Sequence, residues 1–215
     1  MKITLIDVGK RFNRDWIFRH INYEFTDGNS YAIIGSNGSG KSTLLQVIAG
    51  AIAESEGKVS YQPGVWSRQS STPDSRLPAE DFYTQVSIAA PYMELIEEMS
   101  LSEFLDFHQI FKPFLPGMNT VKAIEELGLG KSAAKHIRYY SSGMKQRVKL
   151  AQAFFSNTPV LLLDEPCTNL DQEGIDLYHR LIKQYCAKRT VIVSSNDEQE
   201  YGFCDKRVNI MEYKK

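Results

Sequence analysis

The stretch "SYAIIGSNGSGKSTLLQVIAG", residues 30–50, decides the fold. A short apolar run at 30–35 reads as a buried strand, the glycines as a loop, and "KSTLLQVIAG" as a helix with Gly50 as its C-cap. Residues 35–42 match G-x-x-x-x-G-K-[ST] with a strand before and a helix after. Gly35, Gly38 and Gly40, with Ser36, Asn37 and Ser39 between them, let backbone N–H groups curl around phosphate oxygens. Lys41 reaches the terminal phosphates, the Ser42 hydroxyl ligates magnesium, and Thr43 follows in the first turn. The bare pattern arises by chance in roughly one random chain per hundred of this length. Strand–helix context makes chance rarer still, so the segment is read as a nucleotide phosphate site.

Two stretches further along bear on the same chemistry. "YSSGMKQRVKLAQAF" (140–154) places small polar residues before a helix with Met144, Val148, Ala151 and Phe155 on one stripe. Its N-terminus offers free N–H groups and a positive dipole end to an anion. "PVLLLDEP" (159–166) is an apolar strand ending in two carboxylates. Asp164 stands where such a strand would present it to a bound magnesium, and Glu165 is the candidate general base for a water in line with the γ-phosphate. The competing reading of these two acids is an ordinary solvated strand end.

Around these motifs, residues 2–8, 20–25, 57–63, 85–90 and 190–195 read as strands, and 64–81 as a polar surface loop. Ser100 and Glu103 form a capping box for a helix running through Phe111, and Gly128 stops a second helix begun near Thr120. "QEGIDLYHRLIKQYC" sets Ile175, Tyr178, Leu181, Ile182 and Tyr185 on one helical face. Apolar strands alternating with helices indicate a parallel sheet covered on both faces. The helical run 100–135 has no strand of its own and is expected to stand off the sheet.

Bulk properties narrow the classes of function. The 215 residues carry 25 Lys+Arg, 26 Asp+Glu and a net charge of −1, with the basic residues scattered. No basic stripe suggests nucleic acid, and none is expected as a partner. The 3 cysteines lack metal or disulfide spacing and read as reduced thiols. The four histidines have no metal-ligand spacing, and neither a signal peptide nor a membrane span is expected.

Together these pieces resemble the ATP-binding-cassette (ABC) ATPase family over essentially the whole chain. "YSSGMKQR" is similar to the family signature L-S-G-G-Q, with Ser141 and Gly143 at the Ser and second Gly, while Tyr140, Ser142 and Met144 depart from it. "NLD" (169–171) resembles the D-loop, which implies a dimer contact at Asp171. The order P-loop, helical insert, signature, aspartate and D-loop also fits. The resemblance implies an α/β P-loop NTPase of ABC type: one domain over 1–215, mainly parallel sheet flanked by helices, with an antiparallel β-subdomain and a helical subdomain at about 92–140.

It further implies ATP and Mg2+ as ligands and a head-to-tail homodimer or heterodimer of cassettes. In such a pair Ser141 and Gly143 of one copy cap the ATP held on the P-loop of the other. A separate transmembrane permease is implied too, docking around Tyr92 to Phe107, with the cassette on the cytoplasmic face of the membrane. The family's adenine-stacking aromatic falls at Phe12, although a core Phe on the first strand or its edge reads equally well and Trp16 is the nearest alternative. The family's glutamine after strand 85–90 is missing, since "AAPYM" puts Pro91 or its neighbours there. Asn196 replaces the family's histidine as a candidate catalytic group beside Lys41 and Glu165, which points to slow hydrolysis in isolation. The alternatives are a soluble ABC ATPase without a permease and an ATP-binding scaffold with negligible hydrolysis.

Overall fold

A computed structural model describes residues 1–62 and 82–214; the loop expected at 64–81 lies outside them. The chain opens with a hairpin of β1 (Lys2–Phe12) and β2 (Asp15–Phe25), joined at Asn13, whose φ of 54° is left-handed. Both strands run longer than the expected 2–8 and 20–25. The apolar alternation loses phase because register shifts interrupt the pairing, with Asp7 and His20 at positive φ and hydrogen-bonded to each other at 2.8 Å. β4 (Glu56–Gln62) pairs with the other edge of β1, giving an antiparallel sheet ordered β2-β1-β4.

The second sheet contains β3 (Ser30–Ile34), β5 (Val86–Ala89), β6 (Val160–Asp164), β7 (Thr190–Ser194) and β8 (Lys206–Asn209) in the order β5-β6-β7-β3-β8. Every pairing within it is parallel. β6 is buried throughout: Leu161 and Leu163 join one core, Val160 and Leu162 the other. β7 alternates in the same way, with Val191 and Val193 on one side and Ile192 on the other. Both faces are therefore covered, as the apolar runs predict. β8 was not legible, because Lys206 and Arg207 are exposed on this short edge strand and Val208 is its one buried residue.

α1 (Lys41–Ile48) follows β3, and Gly50 (φ 70°) ends its turn one residue beyond the cap at Ala49. α2 (Leu101–Phe111) begins with the expected capping box, and α3 (Thr120–Glu126) is capped by Asn119 and ends before Gly128 at φ 67°. α4 (Ser142–Phe154) buries more than its predicted stripe: Gln146, Leu150, Gln152, Ala153 and Phe154 are buried too, while Met144 is half-exposed. α5 (Gln172–Tyr185) turns Leu177, Tyr178 and Leu181 inward and leaves Ile175, Ile182 and Tyr185 at the rim. α6 (Glu198–Tyr201) leads into β8. No helix among the described residues is long and apolar enough to cross a membrane.

Candidate functional site

The loop between β3 and α1 lies at the carboxyl end of the parallel strands, where such sheets gather ligands. Gly40 adopts φ 99°, and a Cβ there would fall 2.3 Å from Ile17 Cγ2 of β2, so only glycine fits between the two sheets. No side chain caps α1, which leaves its first N–H groups for another acceptor. The loop closes on itself through Ser39 N–H to Ser36 O at 3.1 Å. The buried Lys41 ammonium donates to Gly35 O at 3.0 Å and Ser36 O at 3.2 Å. Among the described residues no carboxylate lies within ion-pair distance of it. A cation held only by carbonyl oxygens is suited to a phosphate.

β6 delivers Asp164 to the same place. Its Oδ1 accepts the Ser42 hydroxyl at 3.1 Å, and the side chain is 2% exposed. Burial pushes the Asp164 carboxyl up, aided by the nearby charge of Glu165 and opposed by the Ser194 and Ser42 hydroxyls and Lys41. A buried carboxylate beside a hydroxyl, both hard oxygen donors, fits a small divalent cation such as Mg2+ that takes its remaining ligands from phosphate and water. The expected Ser42–Asp164 pair is thus brought together across 122 residues of sequence.

Glu165 continues the β6–β7 ladder with its N–H on Ser194 O at 2.9 Å, then turns the chain off the sheet at φ 41°. A non-glycine residue there carries about 1–3 kcal/mol of strain, characteristic of functional sites. Asn196, in the loop after β7, donates through Nδ2 to Asn37 Oδ1 at 3.0 Å, so it reaches the tip of the phosphate loop. Pro91 lies in the segment after β5, anchored by Lys149 Nζ on its carbonyl at 2.7 Å. The neighbouring Tyr92 hydroxyl is pushed up to about 12 by burial and by the charge of Asp164. Tyr92, which opens the segment expected to dock a permease, is nevertheless 46% exposed.

The expected signature group stands apart. The Ser141 hydroxyl caps its own helix, accepting Met144 N–H at 3.2 Å, and a Cβ on Gly143 would lie 2.9 Å from Asn169 O. No hydrogen bond among the described residues joins 141–143 to the phosphate loop 35–43. Asp171 caps α5 through Gly174 N–H at 2.9 Å and meets Arg147 Nη2 at 3.2 Å; both hold its carboxyl below the usual range. Phe12 is 50% exposed at the end of β1. Lys10 Nζ sits 5.1 Å from its centroid, while Arg19 and Arg11 cover Trp16.

The fold and these groups define a P-loop nucleotide-binding protein. Residues 18–168 match the ABC transporter family. The chain is 27% identical over 205 residues to the uncharacterized ABC transporter ATP-binding protein YybJ of Bacillus subtilis (strain 168), covering 94% of this chain and 89% of that protein. Among solved structures it resembles the dimeric bacterial ABC transporter cassette MJ0796, with a TM-score of 0.77 and 23% identity, covering 97% of this chain and 94% of the other. A post-hydrolysis state of the same cassette bound to ADP and Pi gives a TM-score of 0.76 at 21% identity, with the same coverage. The chain belongs to the ABC transporter family and is its ATP-binding cassette.

Proposed function

We propose that this cassette hydrolyses ATP as one of a pair and drives a separate transmembrane permease. The reading takes 1–215 as one nucleotide-binding domain whose helical part spans about 92–140. One observation carries it: Lys41 is bonded to Gly35, Ser42 to Asp164 and Asn37 to Asn196 within the chain, while the α4 N-terminus at Ser141 and Gly143 makes no hydrogen bond to the phosphate loop of its own copy among the described residues. Two copies arranged head to tail would give each phosphate loop a second N–H donor surface, with the Asp171 segment beside it. The dimeric state of the MJ0796 cassette supports this arrangement.

In the reaction, Gly35–Ser42 and Lys41 bind the ATP phosphates and Phe12 offers its exposed ring to the base. Ser42 and Asp164 would hold Mg2+, which would supply charge neutralisation for the phosphate oxygens. Glu165 accepts a proton from water as the water oxygen bonds to the γ-phosphorus, and the β–γ bridging oxygen leaves with ADP. Asn196 donates a hydrogen bond toward the γ-phosphate but carries no charge. Turnover of the isolated cassette is accordingly slow.

Exposed Tyr92, Ile96, Phe107, Ile110 and Phe111 support a permease contact on the helical side. Leu95, Leu101 and Phe104 of the same segment pack the core. Such a contact would hold the cassette at the membrane's cytoplasmic face. The test is size-exclusion chromatography of Glu165→Gln with ATP and Mg2+. It should run as a dimer, and adding Gly143→Asp should return it to monomer. A Glu165→Gln protein that stays monomeric at high concentration would refute the homodimer.

A further inference from the structure

The turn that carries Glu165 is fastened from two sides by buried polar side chains. From α4, the Gln146 amide donates to Pro166 O at 2.8 Å, and this side chain is 3% exposed. From α6, Glu200 Oε1 accepts the Cys167 N–H at 2.7 Å, and Glu200 is 5% exposed. No cation lies within ion-pair distance of Glu200 among the described residues. Burial pushes its carboxyl up, with the Ser195 hydroxyl and the Cys167 N–H pulling the other way.

A carboxylate in such a place is costly, and an apolar residue of similar size would bury more cheaply. What the carboxylate supplies is an acceptor for an N–H that has no backbone partner, because the chain has just left the sheet. The same turn holds Glu165 at φ 41°, closed by Thr168 N–H on Glu165 O at 3.1 Å. A left-handed glutamate relaxes unless its neighbours over-determine it. α6 is itself fixed, since the Tyr178 hydroxyl of α5 donates to Glu200 O at 2.6 Å. The acceptor therefore stands on a rigid support.

We infer that Glu200 and Gln146 are positioning residues that clamp the 165–168 turn and so hold the Glu165 carboxylate in place for water activation. This rests on the reading of Glu165 as the general base. Neither residue touches nucleotide; each acts through the backbone of the turn. Gln146 also stands one turn along the helix that opens at Ser141, so it ties that helix to the turn of the base.

The test combines steady-state phosphate release with amide hydrogen exchange of nucleotide-free protein. Glu200→Ala should lower kcat at least tenfold with KM for ATP within twofold, and speed exchange at Cys167 and Thr168 at least tenfold. Glu200→Gln keeps an oxygen that can accept the Cys167 N–H, so its kcat should recover to within about threefold of wild type. Gln146→Ala should reproduce the kcat loss and carries the test if Glu200→Ala does not fold. Added to Glu165→Gln, either alanine should cost little more. Wild-type kcat and exchange in Glu200→Ala or Gln146→Ala, or a loss confined to KM, would overturn the clamp. Glu165→Gln at wild-type rate would instead remove the base assignment, with the exchange data still reporting on the turn.

Discussion

The two helix N-termini that favour anions in this chain have opposite surroundings. α1 begins inside a closed set: its loop folds over Lys41, and Ser42 is tied to Asp164 at the end of β6. α4 begins with Ser141 satisfied by its own helix and with no hydrogen bond to a phosphate-binding group of the same copy. The chemistry of N–H groups and dipole is shared, but one end is completed by the fold and the other only by something brought to it. In the proposed homodimer the phosphate loop of a second copy would be brought to this end.

Breaking the closed end should have the largest effect. Lys41→Ala removes the buried cation of the phosphate loop, and truncating a buried charged partner costs about 2–5 kcal/mol. Isothermal titration should show affinity falling by at least a factor of thirty; unchanged affinity would displace Lys41 from the site. Glu165→Gln should leave affinity intact while slowing phosphate release by about a hundred- to a thousandfold, the effect of removing one positioned polar group from a transition state, or about 2.7–4 kcal/mol. Wild-type turnover in that variant would mean that another residue activates water.

The helical side offers a contrast through pH. His108, stacked near Phe104 and bonded to Ser156 Oγ at 2.9 Å, is lowered from 6.5 to about 4 by burial and by the neighbouring Lys112. A folded value below the unfolded one means that stability is whole above about 6.5 and is lost as pH falls toward 4. The slope reaches about 1.4 kcal/mol per pH unit. His108→Gln should flatten this part of a chemical-denaturation profile, whereas an unchanged slope would place the acid sensitivity elsewhere. The smallest effect is expected at Asn196→His, where a group able to carry charge replaces a neutral amide at the loop tip. Phosphate release should rise a few-fold or stay level, and a large fall would show that the Asn196–Asn37 contact itself organises the loop.

Charge reversal on the helical side would sharpen the permease reading. Glu98 is the cleaner position, being well exposed and 3.6 Å from Arg138, because Glu97 pairs closely with Lys145 of α4 at 2.5 Å. Crosslinking of wild-type and Glu98→Lys cassettes to membrane proteins in cells should show the contact weakened by the reversal, with ATP affinity unchanged.

What the amino-acid order determined alone is what short-range geometry controls. The glycine spacing of the phosphate loop, the Ser100–Glu103 capping box, the Gly128 stop and the fully apolar β6 ending in Asp164–Glu165 each follow from φ, periodicity or an i-to-i+3 contact. The tertiary structure decided everything that needs two distant segments to meet. It bent β1 and β2 at Asp7 and His20, placed the edge strand β8 and exposed Phe12. It also buried Gln146 and Glu200 against the turn after β6. A polar residue on a helix looks the same in sequence whether it faces water or clamps a backbone. Only packing removes the water and turns its hydrogen bond into a constraint.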